Sequence, residues 1–283
     1  MDRIKRSWAL AKASYDVLLH DKELLIFPII SAVAVFIITL SFALPTLMGN
    51  LLDTMLDTGI PIFAYVVLFI FYFIQYTVVY FFSTALVGAA MIRLRGGDPT
   101  VKDGFNIAFS RLGPILGWSL LSSTVGLLLN ILSSSSKKKG RGIGTIISSI
   151  IGAAWNVVTF LVVPIIAVEG LGPIKAVQRS WALLKRSWGE QIAGTLSIGA
   201  VFAIIGIVLG LLVVGLGVGL SMLLDSFVPA ILFGILLVVL ILLLSLFSTT
   251  LTGIFSAAVY AYAEDGQVGL FDENMIQGAV VQS

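Results

Sequence analysis

Arg6-Ser7-Trp8-Ala9-Leu10-Ala11-Lys12-Ala13-Ser14-Tyr15 recurs later in the same chain as Arg179-Ser180-Trp181-Ala182-Leu183-Leu184-Lys185-Arg186-Ser187-Trp188. Setting Phe105 against Trp8 and Trp181 brings out a weaker third copy. The apolar positions then coincide as Ile4/Val101/Val177, Trp8/Phe105/Trp181, Ala11/Ala108/Leu184 and Tyr15/Leu112/Trp188. Their spacing draws a single stripe down an α-helix. Each copy leads into a long apolar hairpin. The expected fold is therefore all-α: a polytopic membrane protein with six transmembrane helices, arranged as three parallel repeats of an interfacial amphipathic helix plus a helical hairpin. The units fall at about 1–96, 97–171 and 172–265 of one transmembrane domain, with 266–283 a partly disordered cytoplasmic tail.

Composition points to the same solvent. The 283 residues are 58% hydrophobic and 11% charged, with a mean hydropathy of +1.07. A water-soluble domain carries about 25% charged residues, so bilayer is the natural surrounding. The absence of cysteine excludes disulfides and thiolate chemistry, and the single histidine, His20, excludes a multi-histidine metal site. A net charge of +2 does not argue for nucleic acid. No cleavable signal peptide is expected, because the chain opens on an amphipathic helix rather than a short apolar core.

Spans are expected at about 24–44, 61–92, 114–132, 143–168, 192–224 and 229–263. Several exceed what a hydrocarbon core of about 30 Å requires, so they must tilt, break or project into water. The glycines of the fifth, Gly206 to Gly219, leave room for a kink. Thirteen Lys and Arg fall on the side of the termini against four on the other, which places both termini in the cytoplasm of a cell-membrane protein. All four outer cations lie in Ser133–Arg141, read as a flexible solvated loop, against the rule.

The Arg-Ser-Trp-Ala-Leu-x-Lys helix at Arg6–Lys12 and Arg179–Lys185 resembles a broad group of uncharacterised bacterial and archaeal multi-pass membrane proteins. That group includes the membrane-anchoring domain attached to some glycerophosphodiester phosphodiesterases. The resemblance implies an integral membrane module without an assigned role. No phosphodiesterase catalytic domain is present, so that activity does not carry over.

Three sets of residues stand out. Trp8, Tyr15, Phe105, Trp181 and Trp188, with Arg6, Lys12, Arg179 and Lys185, suit a helix at headgroup depth, where aromatics bury and cations meet anionic phosphates. The plainer reading is an anchoring belt that sets hairpin depth. Tyr72, Gln75, Tyr76 and Asn156 are polar groups within spans and would line a cavity, if one exists; inter-helix packing is the simpler role. Arg93, Glu169 and Glu264 close the second, fourth and sixth spans and are expected to pair between units. Small residues, among them Ser245, Thr249, Gly253, Ala257 and Ala261, mark close helix packing or a subunit interface.

No carboxylate or cation falls mid-span, which disfavours an ion-driven pump. Neither a phosphate loop nor a nucleophile elbow is visible, so no enzyme activity and no cofactor or metal is expected. The function expected first is a non-enzymatic membrane scaffold or lipid-interacting module, partnered by membrane lipids and by further copies of itself. A passive channel or carrier for small or lipid-like solutes is the alternative, and an accessory subunit of a larger membrane complex is a third.

Overall fold

A computed structural model describes residues 14–48, 62–138, 143–187 and 196–265. All regular structure among them is helical. Helix α1 covers 14–20, and a 3-10 turn, Lys22–Leu25, leads into α2 (Ile26–Met48). Then come α3 (Ile62–Leu94), α4 (Val101–Ser110), α5 (Leu112–Lys138), α6 (Ile143–Val158) and α7 (Val162–Glu169). The chain continues through α8 (Pro173–Ser187), α9 (Leu196–Leu223) and α10 (Val228–Asp265). Six stretches are long and apolar enough to cross a bilayer, at Lys22–Leu44, Tyr65–Leu94, Leu112–Ile131, Ser149–Glu169, Val201–Leu223 and Val228–Ala261. They pair as hairpins α2–α3, α5–α6/α7 and α9–α10.

The fourth span is two helices. Residues 159–161 form a turn between α6 and α7. Pro164 explains it: a proline has no N–H for the carbonyl of Phe160, and its ring crowds that carbonyl. In the first turn of α7 the missing donor costs nothing, since that amide would have no helical partner. The freed Leu161 N–H donates instead to Ser180 Oγ of α8 at 3.3 Å. The fifth span, by contrast, is one unbroken helix despite its glycines. The Ser-Lys stretch also departs from the expected loop: 133–138 are the last turns of α5.

The core sits at one end of the bundle. Fully buried side chains come from α1 (Val17), the start of α2 (Phe27), the end of α3 (Ala85 to Leu94), α7 (Leu161 to Ala167), α8 (Leu183, Leu184) and the end of α10 (Leu251 to Ala261). At the other end, α9 and the first half of α10 present their aliphatics outward, Leu211 at 71% exposure and Ile235 at 59%. In lipid such surface is solvated, and no hydrophobic force draws these helices together. At 38 residues, α10 would be about 57 Å long. It therefore reaches beyond a hydrocarbon core of about 30 Å, and its far end lies in the compact end of the bundle.

Glycine lets helices meet there. A Cβ on Gly104 would stand 2.3 Å from Phe27 Cζ and 2.8 Å from the Ala85 carbonyl oxygen, so α4 lies backbone to backbone on α3. Gly253 brings α10 onto Leu86 of α3 in the same way. At the end of α7, Gly170 takes a left-handed conformation (φ 67°) and returns its N–H to Ile165 and Ile166.

Helix α4 opens with a capping box. Asp103 N–H donates to Thr100 Oγ1 at 3.2 Å, while the Thr100 hydroxyl and N–H donate to the Asp103 carboxylate at 2.6 and 2.9 Å. The hydroxyl bond, then the backbone bond, hold the Asp103 carboxyl below its ordinary value of 3.8. Because the folded value is the lower one, this support is complete above the unfolded pKa and is lost as pH falls through the folded one. Amide exchange in the first turn of α4, corrected for intrinsic pH dependence, is expected to speed up in acid in wild type. The same measurement should show no such acid step in Asp103→Asn.

Candidate interfacial site

The compact end is held by two arginines, each placed between two carboxylates. Arg93, at the end of α3, donates to both oxygens of Asp21 and to Asp98. Asp21 is buried and follows α1, whereas Asp98 is almost fully exposed. Arg179, on α8, donates through Nε to Glu169 Oε1 at 3.1 Å and through Nη2 to Glu264. The buried Tyr260 hydroxyl donates to the same Glu169 oxygen at 2.9 Å. Glu169 and Glu264, at the ends of α7 and α10, are thus joined through Arg179. Arg93 does not join them; it fastens α1 to α3. A third arginine, Arg111, donates to the last carbonyls of α7, Ala167 at 3.4 Å and Val168 at 3.1 Å. It caps a helix end whose carbonyls have no partner within the helix. Asp21, Asp98, Arg111 and Tyr260 are contact partners that sequence reading misses. Their pairings span long sequence separations, and a charge beside a span end signals only interface depth.

Lysines behave differently. Lys102, Lys175 and Lys185 are exposed and form no ion pair with a described carboxylate. They sit on the outward faces of α4 and α8. The inner stripe of α8 is Ala176, Ser180, Leu183 and Leu184, all buried, and α8 packs on α5, α6, α7 and α10. Its outer stripe is Ile174 (67% exposed), Gln178, Trp181 (50% exposed) and Lys185, with Lys175 beside it. On α4 the inner stripe is Gly104 and Ala108, and the outer one is Lys102, Asn106 and Phe109. Gly104 of α4 and Ser180 of α8 are both small and packed inward.

Phe105 and Trp181, expected to occupy matching positions, have different surroundings. Phe105 is half-buried in a ring cluster with Phe27, Phe81, Phe82 and Phe109, its centroid 5.5 Å from that of Phe27. Trp181 faces outward. Tyr15 is also exposed, at 44%. Arg6, Trp8, Lys12 and Trp188 lie outside the described residues.

Within the spans, aromatic rings form a continuous column. It runs from Phe42 through Phe71, Tyr72, Tyr76 and Tyr80 to Trp118 and Trp155, with successive centroids 5.2 to 6.3 Å apart. Gln75 donates to Thr39 Oγ1 of α2 at 2.8 Å, tying α2 to α3. Asn156 does not join this group: it is exposed on α6. Trp118 Nε1 and Ser122 Oγ are buried beside the Tyr80 hydroxyl. The groups His, Asp and Glu nowhere gather in a metal-binding set among the described residues.

Fold and composition define a polytopic α-helical membrane protein. The chain belongs to a family of unknown function, DUF6159, whose profile matches residues 62–271. None of the curated proteins matches it.

Proposed function

We propose that this protein is a non-enzymatic membrane scaffold that engages anionic lipid through the outward faces of α4 and α8, with both termini in the cytoplasm. One observation carries the proposal: Arg93, Arg111 and Arg179 are engaged with carboxylates and carbonyls, while the exposed Lys102, Lys175 and Lys185 flank outward apolar side chains on helices already anchored by their inner faces. A helix that needed its outer stripe only for packing would not leave Ile174 and Trp181 uncovered. At headgroup depth, Trp181 reaches the acyl boundary and Lys175 and Lys185 reach phosphates. The excess of cations on this side of the chain sets it toward the cytoplasm. The ring contacts between helices and the Gln75–Thr39 bond support this reading over a conduit, because they engage the in-span aromatics and amide in helix–helix contact.

The test is lipid retention. Protein reconstituted into nanodiscs of mixed zwitterionic and anionic phospholipid is extracted gently, and the co-purifying lipid is weighed and typed. Each lysine near an anionic surface is worth about 1 kcal/mol. Lys175→Glu/Lys185→Glu is therefore expected to weaken anionic-lipid retention roughly tenfold or more, and Trp181→Ser to lower total retained lipid. Unchanged anionic enrichment in the double variant would reject the proposal.

A further inference from the structure

We propose that the exposed side of α6 around Asn156 is a self-association surface, on which α6 of a second copy of this chain packs across a two-fold axis.

Polar side chains inside the spans differ in whether they have partners. Thr39, Thr77, Ser119, Thr124, Thr159, Thr250 and Thr252 all donate to a carbonyl one turn back in their own helix. A hydroxyl can do this; a side-chain amide, with two donors and an acceptor, cannot be satisfied that way. Gln75 meets its need on Thr39. Asn156 is exposed and has no hydrogen-bond partner among the described residues. It also cannot turn inward. The neighbouring Trp155 stacks on Trp118 of α5, centroids 5.7 Å apart and planes 12° from parallel, and the Trp155 carbonyl accepts from Thr159. These contacts fix the rotation of α6, with Asn156 about 100° round from Trp155.

Depth decides what can cover the amide. Asn156 lies within the candidate span Ser149–Glu169, about 20 Å along α6 from its start at Ile143. Its short side chain reaches no headgroup, and acyl chains offer neither donor nor acceptor. Asn130, the other exposed amide in a span among the described residues, stands three residues before the serine run that begins at Ser133 and lies nearer the polar end of its span. An asparagine amide complements itself: two related by a two-fold axis each donate to the other. A two-fold interface brings equivalent residues together. Ala153 and Ser149 follow Asn156 along the same side of α6, and small side chains there permit the close approach that association in lipid depends on. The occupant that fits is another copy of α6.

Cysteine cross-linking tests this, since the chain has no cysteine of its own. In liposomes under mild oxidation, Ala153→Cys is expected to give a disulfide-linked dimer, and Leu211→Cys, on the exposed side of α9, is not. Single-molecule photobleaching across a range of protein-to-lipid ratios supplies the affinity. Asn156→Leu is expected to weaken dimerisation about tenfold, as interhelical amide bonds in membranes are worth roughly 1–2 kcal/mol at most. Asn156→Gln should retain most of it, and Asn130→Leu should match wild type. Wild type that stays monomeric at every ratio, or Asn156→Leu that dimerises equally well, overturns the proposal. So does an Ala153→Cys cross-link no stronger than that of Leu211→Cys. This outcome is independent of lipid retention at α8.

Discussion

Gly104→Val is expected to lower stability by about 3 kcal/mol or to prevent folding. The new Cβ would stand 2.8 Å from the Ala85 carbonyl oxygen, closer than real contacts allow, and 2.3 Å from Phe27 Cζ. Phe27 is 1% exposed and packs edge-on to Phe105, so its ring has nowhere to go. The obstacle at Ala85 is backbone and cannot change rotamer. Helix α4 would have to lift off α3, dissolving the contacts of Ala108 and the ring cluster around Phe105. Overpacking of a tight core typically costs 1–3 kcal/mol, and the backbone clash puts this site at or above that range. Gly113→Ala is the control. A Cβ there meets nothing within 4 Å, and exchanging glycine for alanine in a helix is worth up to about 1 kcal/mol in the stabilising direction. Unfolding in mixed micelles of increasing SDS fraction reads both. Equal midpoints for the two variants would mean that α4 does not rest on α3 through Gly104.

The six apolar stretches were legible in the sequence because crossing a bilayer demands length and composition, and both survive any detail of packing. The break in the fourth span was not. Val158 to Val163 reads as uninterrupted apolar helix, and only Pro164, three residues past the turn, gives the physical reason for it. The glycines of the fifth span leave room for a kink, and α9 takes none: glycine permits a bend but does not impose one. The expectation that the three amphipathic segments would each put an aromatic on the same kind of surface separates in the same way. Periodicity places Phe105 and Trp181 at one position of one helical stripe. Whether that position meets a ring cluster or the outside depends on the neighbouring helices, and α4 has Phe27, Phe81 and Phe82 beside it.

Charge pairing was the least legible layer, and Arg93 shows why. Its position at a span end predicts interface depth, which any of several acids could share. The partner it has, Asp21, belongs to the turn between α1 and α2 and is only 8% exposed, which sets the size of the second effect. Arg93→Met keeps length and apolar volume but removes every donor. It leaves the Asp21 carboxylate buried without a cation, whereas Asp98, at 92% exposure, simply returns to water. Orphaning one member of a fully buried pair costs about 3–5 kcal/mol. Arg93 is itself 23% exposed, so screening brings the expected loss nearer to 2–3 kcal/mol. The cycle identifies the cause. Asp98→Asn alone should stay within about 0.5 kcal/mol of wild type. Adding Asp21→Asn to Arg93→Met should recover part of the loss, because a neutral amide is far cheaper to bury than a charge. If instead the double variant falls by the sum of its single changes, the two residues do not interact, and the attachment of α1 to α3 rests on the packing of Val17, Leu18 and Leu24 alone.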